Sequence, residues 1–245
     1  MRVLISNDDG VFAPGIAALA KAFSQAGHEV YVCAPDSQRS AASHSMTLSA
    51  PLRAQEVSLP GAVRAWAVSG TPVDCVKLAL SCLCPQAEAV VSGVNHGYNA
   101  GTDVLYSGTV AAAMEGALYG RPAMAVSLAH SREDTYDRAA QLAASLFPRL
   151  LAHPLPPHTL LNVNYPAADE ALGVRAAPIK ATSYDERYTL TDEGYVLSGS
   201  ISAGMAEADD DYTWLTRGYA TVTALGYDLT DHDATGAWKA FTDAE

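Results

Sequence analysis

Apolar positions along the chain switch between two spacings. Residues 2–6 are an apolar run of strand length, and Gly15 to Gln25 then carry helical spacing, with Ile16, Leu19, Ala20 and Phe23 on one face and Gly27 as the stop. Strand-like runs recur at Glu29–Ala34, Ala65–Ser69, Glu88–Ser92, Ala123–Leu128, Thr159–Val163 and Gly173–Ala177. Between them, Gly70-Thr71-Pro72-Val73-Asp74 opens a helix. Thr71 is the N-cap, Pro72 takes the first helical position, and Asp74 suits the positive helix end. Ser107–Tyr119 predicts an alanine-rich helix, and residues 133–151 an amphipathic one. Strand–helix–strand repetition of this kind predicts an α/β fold, a mostly parallel sheet covered on both faces.

The pattern changes near residue 180. Tyr184 to Trp214 is polar and aromatic and predicts a β-hairpin excursion, with Asp192-Glu193-Gly194 as its turn. The acidic run Glu207, Asp209, Asp210 and Asp211 is expected to be a solvated loop. Tyr184, Tyr188, Tyr195, Tyr212 and Trp214 are candidates for burial against a partner chain, or for packing on their own domain. Tyr219–Leu225 returns as a strand, and residues 234–243 form a terminal helix. The expected organisation is one domain over 1–245: a core over 1–179, the hairpin over 180–217, and a C-terminal strand and helix over 218–245.

Composition narrows the function. At 245 residues and 49% hydrophobic content, a sizeable core is within reach. The net charge of −12 argues against non-specific nucleic-acid binding, which needs a basic surface. No apolar run reaches the ~18 residues of a membrane span, and no signal-like segment precedes the first strand. A cytoplasmic protein is expected. Cys33, Cys75, Cys82 and Cys84 contain no C-x-x-C pair, so buried thiols are expected rather than zinc or disulfides.

Three constellations carry candidate chemistry. The first strand runs into Asp8-Asp9-Gly10. Ligand sites in open α/β sheets lie beyond the carboxyl ends of strands, and two hard oxygen anions there suit Mg²⁺ or Mn²⁺. The alternative is an N-cap aspartate followed by a solvated one. The second is Ser92-Gly93-Val94-Asn95-His96-Gly97-Tyr98-Asn99-Ala100-Gly101, read as a tight loop. Asn95 offers a neutral oxygen to a cation, and Asn99 a donor to a phosphate; a long structural turn is the alternative. The third is Ser107-Gly108-Thr109, a helix start whose free N–H groups suit an anion, or an ordinary cap. The polar loop Pro35–Ser49 adds Ser40, for metal or phosphate, and Arg39 at the same sheet edge. Cation and anion sites side by side are what metal-assisted phosphoester hydrolysis requires.

These stretches together resemble the SurE (survival protein E) family of metal-dependent 5′/3′-nucleotidases. The matching residues are Ser6-Asn7-Asp8-Asp9-Gly10 with Ala13-Pro14-Gly15, Ala34-Pro35-Asp36 with Arg39-Ser40, and Gly70–Val76. Ser92-Gly93-Val94-Asn95 with Gly97 and Asn99-Ala100-Gly101, Tyr106–Gly116, Gly218-Tyr219 and Asp228-Leu229-Thr230 complete the set. The resemblance implies a Rossmann-like α/β/α sandwich with a protruding hairpin, and a homodimer or homotetramer with C-terminal exchange. It implies one divalent cation per subunit on Asp8, Asp9, Ser40 and Asn95, and phosphate contacts at Asn99, Ser107, Gly108 and Thr109. Expected substrates are nucleoside 5′- and 3′-monophosphates, and short-chain polyphosphate. Asp8, Asp9 and Asn95 are the catalytic candidates; no general base is assigned, and His96, at a variable position of the family pattern, is assigned no catalytic role.

Three rivals are weaker. Haloacid-dehalogenase-like phosphatases need D-x-D, whereas these aspartates are adjacent. Receiver domains need a phospho-accepting aspartate where this chain has Asn95. A nucleotide-binding protein without turnover would bind and release no phosphate.

Overall fold

The structure is a computed structural model, described over residues 1–130, 132, 135–182, 184–201 and 209–242. Nine strands form its main sheet: β1 (Arg2–Ser6), β2 (Glu29–Pro35), β3 (Ala54–Val57), β4 (Arg64–Val68), β5 (Ala89–His96), β6 (Ala123–Leu128), β7 (Thr159–Tyr165), β8 (Val174–Ala176) and β11 (Ala220–Gly226). β9 (Tyr184–Thr191) and β10 (Gly194–Ile201) pair separately. The order across the main sheet is β3-β4-β2-β1-β5-β6-β7-β11-β8. β1 pairs in parallel with β2 and β5, and β5–β6–β7 continue in parallel; β3 and β11 run antiparallel to β4 and β7. The helices are α1 (Pro14–Gln25), α2 (Pro72–Leu78), α3 (Gly108–Leu118), α4 (Tyr136–Ala152), α5 (Asp211–Thr216) and α6 (His232–Thr242).

Two apolar layers hold the sandwich together. On one face α1 and α4 pack Ile16, Leu19, Phe23 and Phe147 against Val3, Ile5, Val32, Val91 and Val126. Phe23 and Phe147 meet edge to face with centroids 5.2 Å apart. On the other face α2 and α3 cover Leu4, Cys33, Trp66 and Val90. α3 lies close to the sheet because Gly116 has no Cβ; one there would sit 2.5 Å from Cβ of Val90. Cys33, Cys75 and Cys84 are buried free thiols, as expected, and Cys82 is exposed.

The chain leaves β1 between β2, on one side, and β5, on the other. Earlier strands lie towards one edge and later ones towards the other, so β1 and β5 flank the topological switch point, where ligands bind in open α/β sheets. β5 is longer than the sequence pattern predicts: it runs to His96, and a bulge between Ser92 and Asn95 shifts its register against β6. Gly93 permits this, since its φ is +125° and a Cβ would lie 2.1 Å from the Val126 carbonyl oxygen. Part of the predicted Ser92–Gly101 loop is therefore strand, and its bulge re-aims Asn95.

The serine-rich loop after β2 is fixed by side chains of α2 and α3. Thr71 and Asp74 form a reciprocal capping box at the start of α2. Asp74 also accepts from the backbone N–H (2.9 Å) and hydroxyl (2.7 Å) of Thr47. Glu115 of α3, buried, pairs with Lys77 at 2.7 Å and His44 at 3.0 Å. Burial pushes the Glu115 carboxyl up, but the hydrogen bonds from His44 and Lys77 outweigh it and leave its pKa below the usual value.

The hairpin of β9 and β10 forms as expected, joined at Asp192–Glu193. The acidic segment beyond it departs from the sequence expectation. Asp210 and Asp211 are buried, not solvated. Asp210 caps α5 by accepting from Thr213 N–H, and Asp211 accepts from the N–H groups of Gly101 (2.8 Å) and Lys180 (3.0 Å). Asp209 accepts from the Trp214 indole; Glu207 lies outside the described residues. Charge density alone misleads here, because orphan backbone N–H groups at a helix start and loop need an acceptor. Trp214 packs on Tyr219 and Arg175, and Tyr212 on Tyr98, while Tyr188 and Tyr195 are exposed.

Phe147→Ala should lower stability by about 3–5 kcal/mol, as loss of a buried aromatic with a residual cavity does, read from urea midpoints. Glu115→Gln should cost about 1–3 kcal/mol at neutral pH, since the ion pairs it breaks are buried at the carboxylate and partly exposed at the cations. Because the folded-state pKa of Glu115 lies below its unfolded value, its contribution is complete above that unfolded value, 4.5, and fades as pH falls through the folded one. The stability gap between wild type and Glu115→Gln should therefore close on acidification below that value.

Candidate functional site

At the carboxyl end of β1 the chain turns at Gly10, φ +105°. Asn7, fully buried, holds the turn: its Nδ2 donates to the Gly10 carbonyl at 2.9 Å and its Oδ1 accepts from Gly10 N–H at 3.2 Å. This Asx-type bridge sets the two aspartates in different directions. Asp8 turns towards the start of α3, where its Oδ1 accepts from the Thr109 hydroxyl. Asp9 turns the other way, and its Oδ2 accepts from His96 N–H at 3.3 Å.

Gly108 is where α3 meets Asp8. A Cβ there would lie 2.8 Å from Cβ and 3.0 Å from Oδ2 of Asp8. Ser107 caps α3, its Oγ accepting from Val110 N–H at 3.0 Å. The start of α3 thus faces Asp8, whose negative charge the Thr109 N–H and the helix dipole favour.

The loop after β2 returns to the same place. Arg39 N–H donates to the Asp8 carbonyl at 2.7 Å. Gln38 Nε2 bridges Asp9 Oδ1, at 3.5 Å, and Ser40 Oγ, at 2.9 Å. The Arg39 guanidinium pairs with Asp36 at 3.5 Å rather than with the acid pair. At the end of β5, Asn95 donates its amide to the Gly97 carbonyl at 2.9 Å. Its Oδ1 accepts no hydrogen bond among the described residues.

Five of the predicted site residues thus gather at one sheet edge around Asp8 and Asp9: Ser40, Asn95, Ser107, Gly108 and Thr109. Asn99 is placed differently. It is buried, its Nδ2 donates to Ser127 Oγ at 2.8 Å, and its backbone is clamped by Asn162 and Asn164 of β7. Its evident work is to hold the loop after β5. Sequence reasoning missed Asn7, Gln38 and this asparagine clamp. Asn7, three residues before a glycine, carried a readable turn signal; Asn162 and Asn164 had only their alternation within an apolar strand.

Among the described residues the basic group nearest the acid pair is His96, whose charge lowers the Asp9 carboxyl against the larger effect of burial. Among the described residues neither Asp8 nor Asp9 forms an ion pair with lysine or arginine. Burial pushes the Asp8 carboxyl up to about 6, with the neighbouring Asp9 charge adding and the Thr109 hydroxyl opposing. Burial raises Asp9 as well. No group of three or more His, Cys, Asp or Glu converges among the described residues. The donors here are instead two carboxylates, a hydroxyl and an amide oxygen, all hard oxygens, which suit Mg²⁺ or Mn²⁺. The uncompensated acid pair and the unused Asn95 oxygen fit such a cation.

Comparison with known proteins agrees with this fold. The family model for survival protein SurE matches residues 3–186. The chain is 46% identical to the 5′-nucleotidase SurE of Synechococcus elongatus, over 96% of each chain. It is 44% identical to the 5′-nucleotidase SurE of Nitratidesulfovibrio vulgaris, over 96% of this chain and 90% of that one. The crystal structure of the SurE protein from Aquifex aeolicus superposes with a TM-score of 0.86 at 31% identity, covering 99% of this chain and 100% of that one. With sequence and mostly parallel sheet both matched along nearly its whole length, this chain belongs to the SurE family.

Proposed function

We propose that this chain is a hydrolase, a metal-dependent phosphomonoesterase that releases phosphate from nucleoside 5′- and 3′-monophosphates, with short-chain polyphosphate as a further substrate. The observation that carries this reading is the acid pair set against the start of α3, a cation site and an anion site sharing one carboxylate, Asp8. The names of the curated relatives support the 5′-nucleotidase part.

Asp8, Asp9, Ser40 and Asn95 would hold the cation, which when bound would supply Lewis-acid polarisation of a phosphoryl oxygen and of the attacking water. The backbone N–H groups of Gly108 and Thr109 bind the remaining phosphoryl oxygens, with the dipole of α3 behind them. Ser107 spends its oxygen on the Val110 cap and keeps its hydroxyl hydrogen for a phosphoryl oxygen. Asn99, whose Nδ2 donates to Ser127, supports this end by fixing the loop that follows Asn95, and remains a candidate phosphate contact. Gln38 orients Ser40 and Asp9.

The active form is a homodimer or homotetramer. α6 carries Trp238 and Phe241 at 69% and 72% exposure, and Leu229 before it is 82% exposed. Apolar surface of that extent on a C-terminal arm calls for a second copy. No helix among the described residues is long and apolar enough to cross a membrane. The free cysteines fit a reducing compartment, the cytoplasm.

Phosphate release from nucleoside monophosphates should stop on chelation and return with Mg²⁺ or Mn²⁺. Asp9→Asn should abolish it and weaken binding of the metal alone, measured by titration calorimetry; unchanged turnover in both Asp8→Asn and Asp9→Asn would remove the reading. Gly108→Ala, which keeps every metal donor but displaces Asp8, should lower kcat about 10²-fold, the usual cost of a misplacement near 1 Å. Sedimentation should give a multiple of the 25.7 kDa chain mass, and Leu229→Glu with Trp238→Glu should return it towards that single-chain value.

A further inference from the structure

On the Asp9 side of the acid pair a pocket of about 410 Å³ opens, inside the size range of small-molecule sites, roughly 300–1,000 Å³. The proposed hydrolysis leaves most of its lining unused. Asp9, Phe12, Asp36, Gln38, His96 and Tyr136 contribute to the wall. Its chemistry is the opposite of the α3 side. Among the described residues no lysine or arginine lines it; its wall carries rings and hydrogen-bond acceptors, with the Asp36 charge already met by Arg39 at 3.5 Å, a lining that suits a flat neutral group bearing hydroxyls.

Aromatic rings reach the pocket from three separate elements. Phe12 follows the acid pair in the β1–α1 turn and is 69% exposed. Its neighbour Val11 is fully buried, and Val11 N–H donates to the Pro35 carbonyl at 2.9 Å, so the backbone that presents Phe12 is fixed. His96 stands at the end of β5, and Tyr136 opens α4, with their ring centroids 6.2 Å apart. The Asp36 carboxylate, on the rim, accepts from Ser37 Oγ at 3.0 Å and has further lone pairs to offer a hydroxyl.

We infer that this pocket is the nucleoside subsite, in which the base stacks on Phe12, flanked by His96 and Tyr136, and Asp36 accepts from the ribose. The inference rests on the phosphomonoesterase reading and adds what that reading lacks, the residues that recognise the organic part of the substrate. Direction supports it. Asp8 faces α3 and Asp9 faces the pocket, so a phosphoester held at the pair keeps its phosphoryl oxygens on one side and its leaving group on the other. Phe12 acts as a specificity residue and leaves the phosphate chemistry alone.

The test compares wild type, Phe12→Ala and Phe12→Trp, metal-loaded, on adenosine 5′-monophosphate and on ribose 5-phosphate, which lacks the base. Loss of one base–aromatic stack should raise KM for the nucleotide roughly 10- to 100-fold in Phe12→Ala, with kcat and the ribose 5-phosphate constants unchanged. Phe12→Trp should restore the wild-type KM. Unaltered nucleotide kinetics in Phe12→Ala overturn the inference, and so does an equal loss on both substrates. Adenosine binding to the metal-stripped protein, read by saturation-transfer NMR, should be present in wild type and lost in Phe12→Ala; its absence in wild type also overturns the inference. If no phosphoester is cleaved with any divalent cation, the phosphomonoesterase reading fails, and the adenosine measurement still decides the pocket.

Discussion

Two carboxylates at the end of one central strand, with no lysine or arginine among the described residues to neutralise them, are the constraint around which this site is arranged. Holding them there is unfavourable, as the raised Asp8 and Asp9 pKa values record. What the fold offers in return is partial charge rather than a counter-ion. The start of α3, the Thr109 hydroxyl, His96 N–H and the Gln38 amide each supply a donor. This leaves the pair underneutralised and open to a divalent cation, whose charge would exceed anything those dipoles provide.

The surrounding structure can be understood as the scaffolding of that arrangement. Gly108 lets α3 approach Asp8, and Gly93 lets β5 bulge so that Asn95 reaches the same edge. The loop carrying Gln38 and Ser40 has no regular structure, yet it is tied at Asp8, at Asp74 and at Glu115. Its geometry is therefore set by α2 and α3, the helices that cover the same face of the sheet. Position at the site is transmitted through a capping box and a buried carboxylate, both remote from the acid pair in sequence.

Much of this was legible in the chain. The strand and helix periods are strong where burial is two-sided, as in β1, β5 and β6, or one-sided and long, as in α4. The acid pair, the glycine between Ser107 and Thr109, and Asn95 stood out by falling together at strand ends and a helix start of one sheet, although each alone also reads as a cap or a turn. Long-range satisfaction of backbone groups was not legible. Asp210 and Asp211 look like a solvated run, yet they answer N–H groups of α5, Gly101 and Lys180. The clamp on Asn99 was not legible either, since its partners Ser127, Asn162 and Asn164 lie far along the sequence. The edge strand β3 has no clear alternation, since its side chains are mostly exposed. Each miss concerns a partner that only tertiary structure supplies.

The placement of β1 has a consequence for how the protein is made. It precedes every strand it pairs with and it lies inside the sheet, with β2 on one flank and β5 on the other. β2 follows within a few tens of residues, but Ala89, which pairs with Val3, emerges much later. At about 5–20 residues per second, one edge of an apolar strand waits several seconds for its neighbour. During that interval the nascent chain exposes Val3, Leu4 and Ile5 beside two unscreened aspartates. The charges that later serve the site thus also sit where a growing chain most needs a deterrent to pairing with its neighbours.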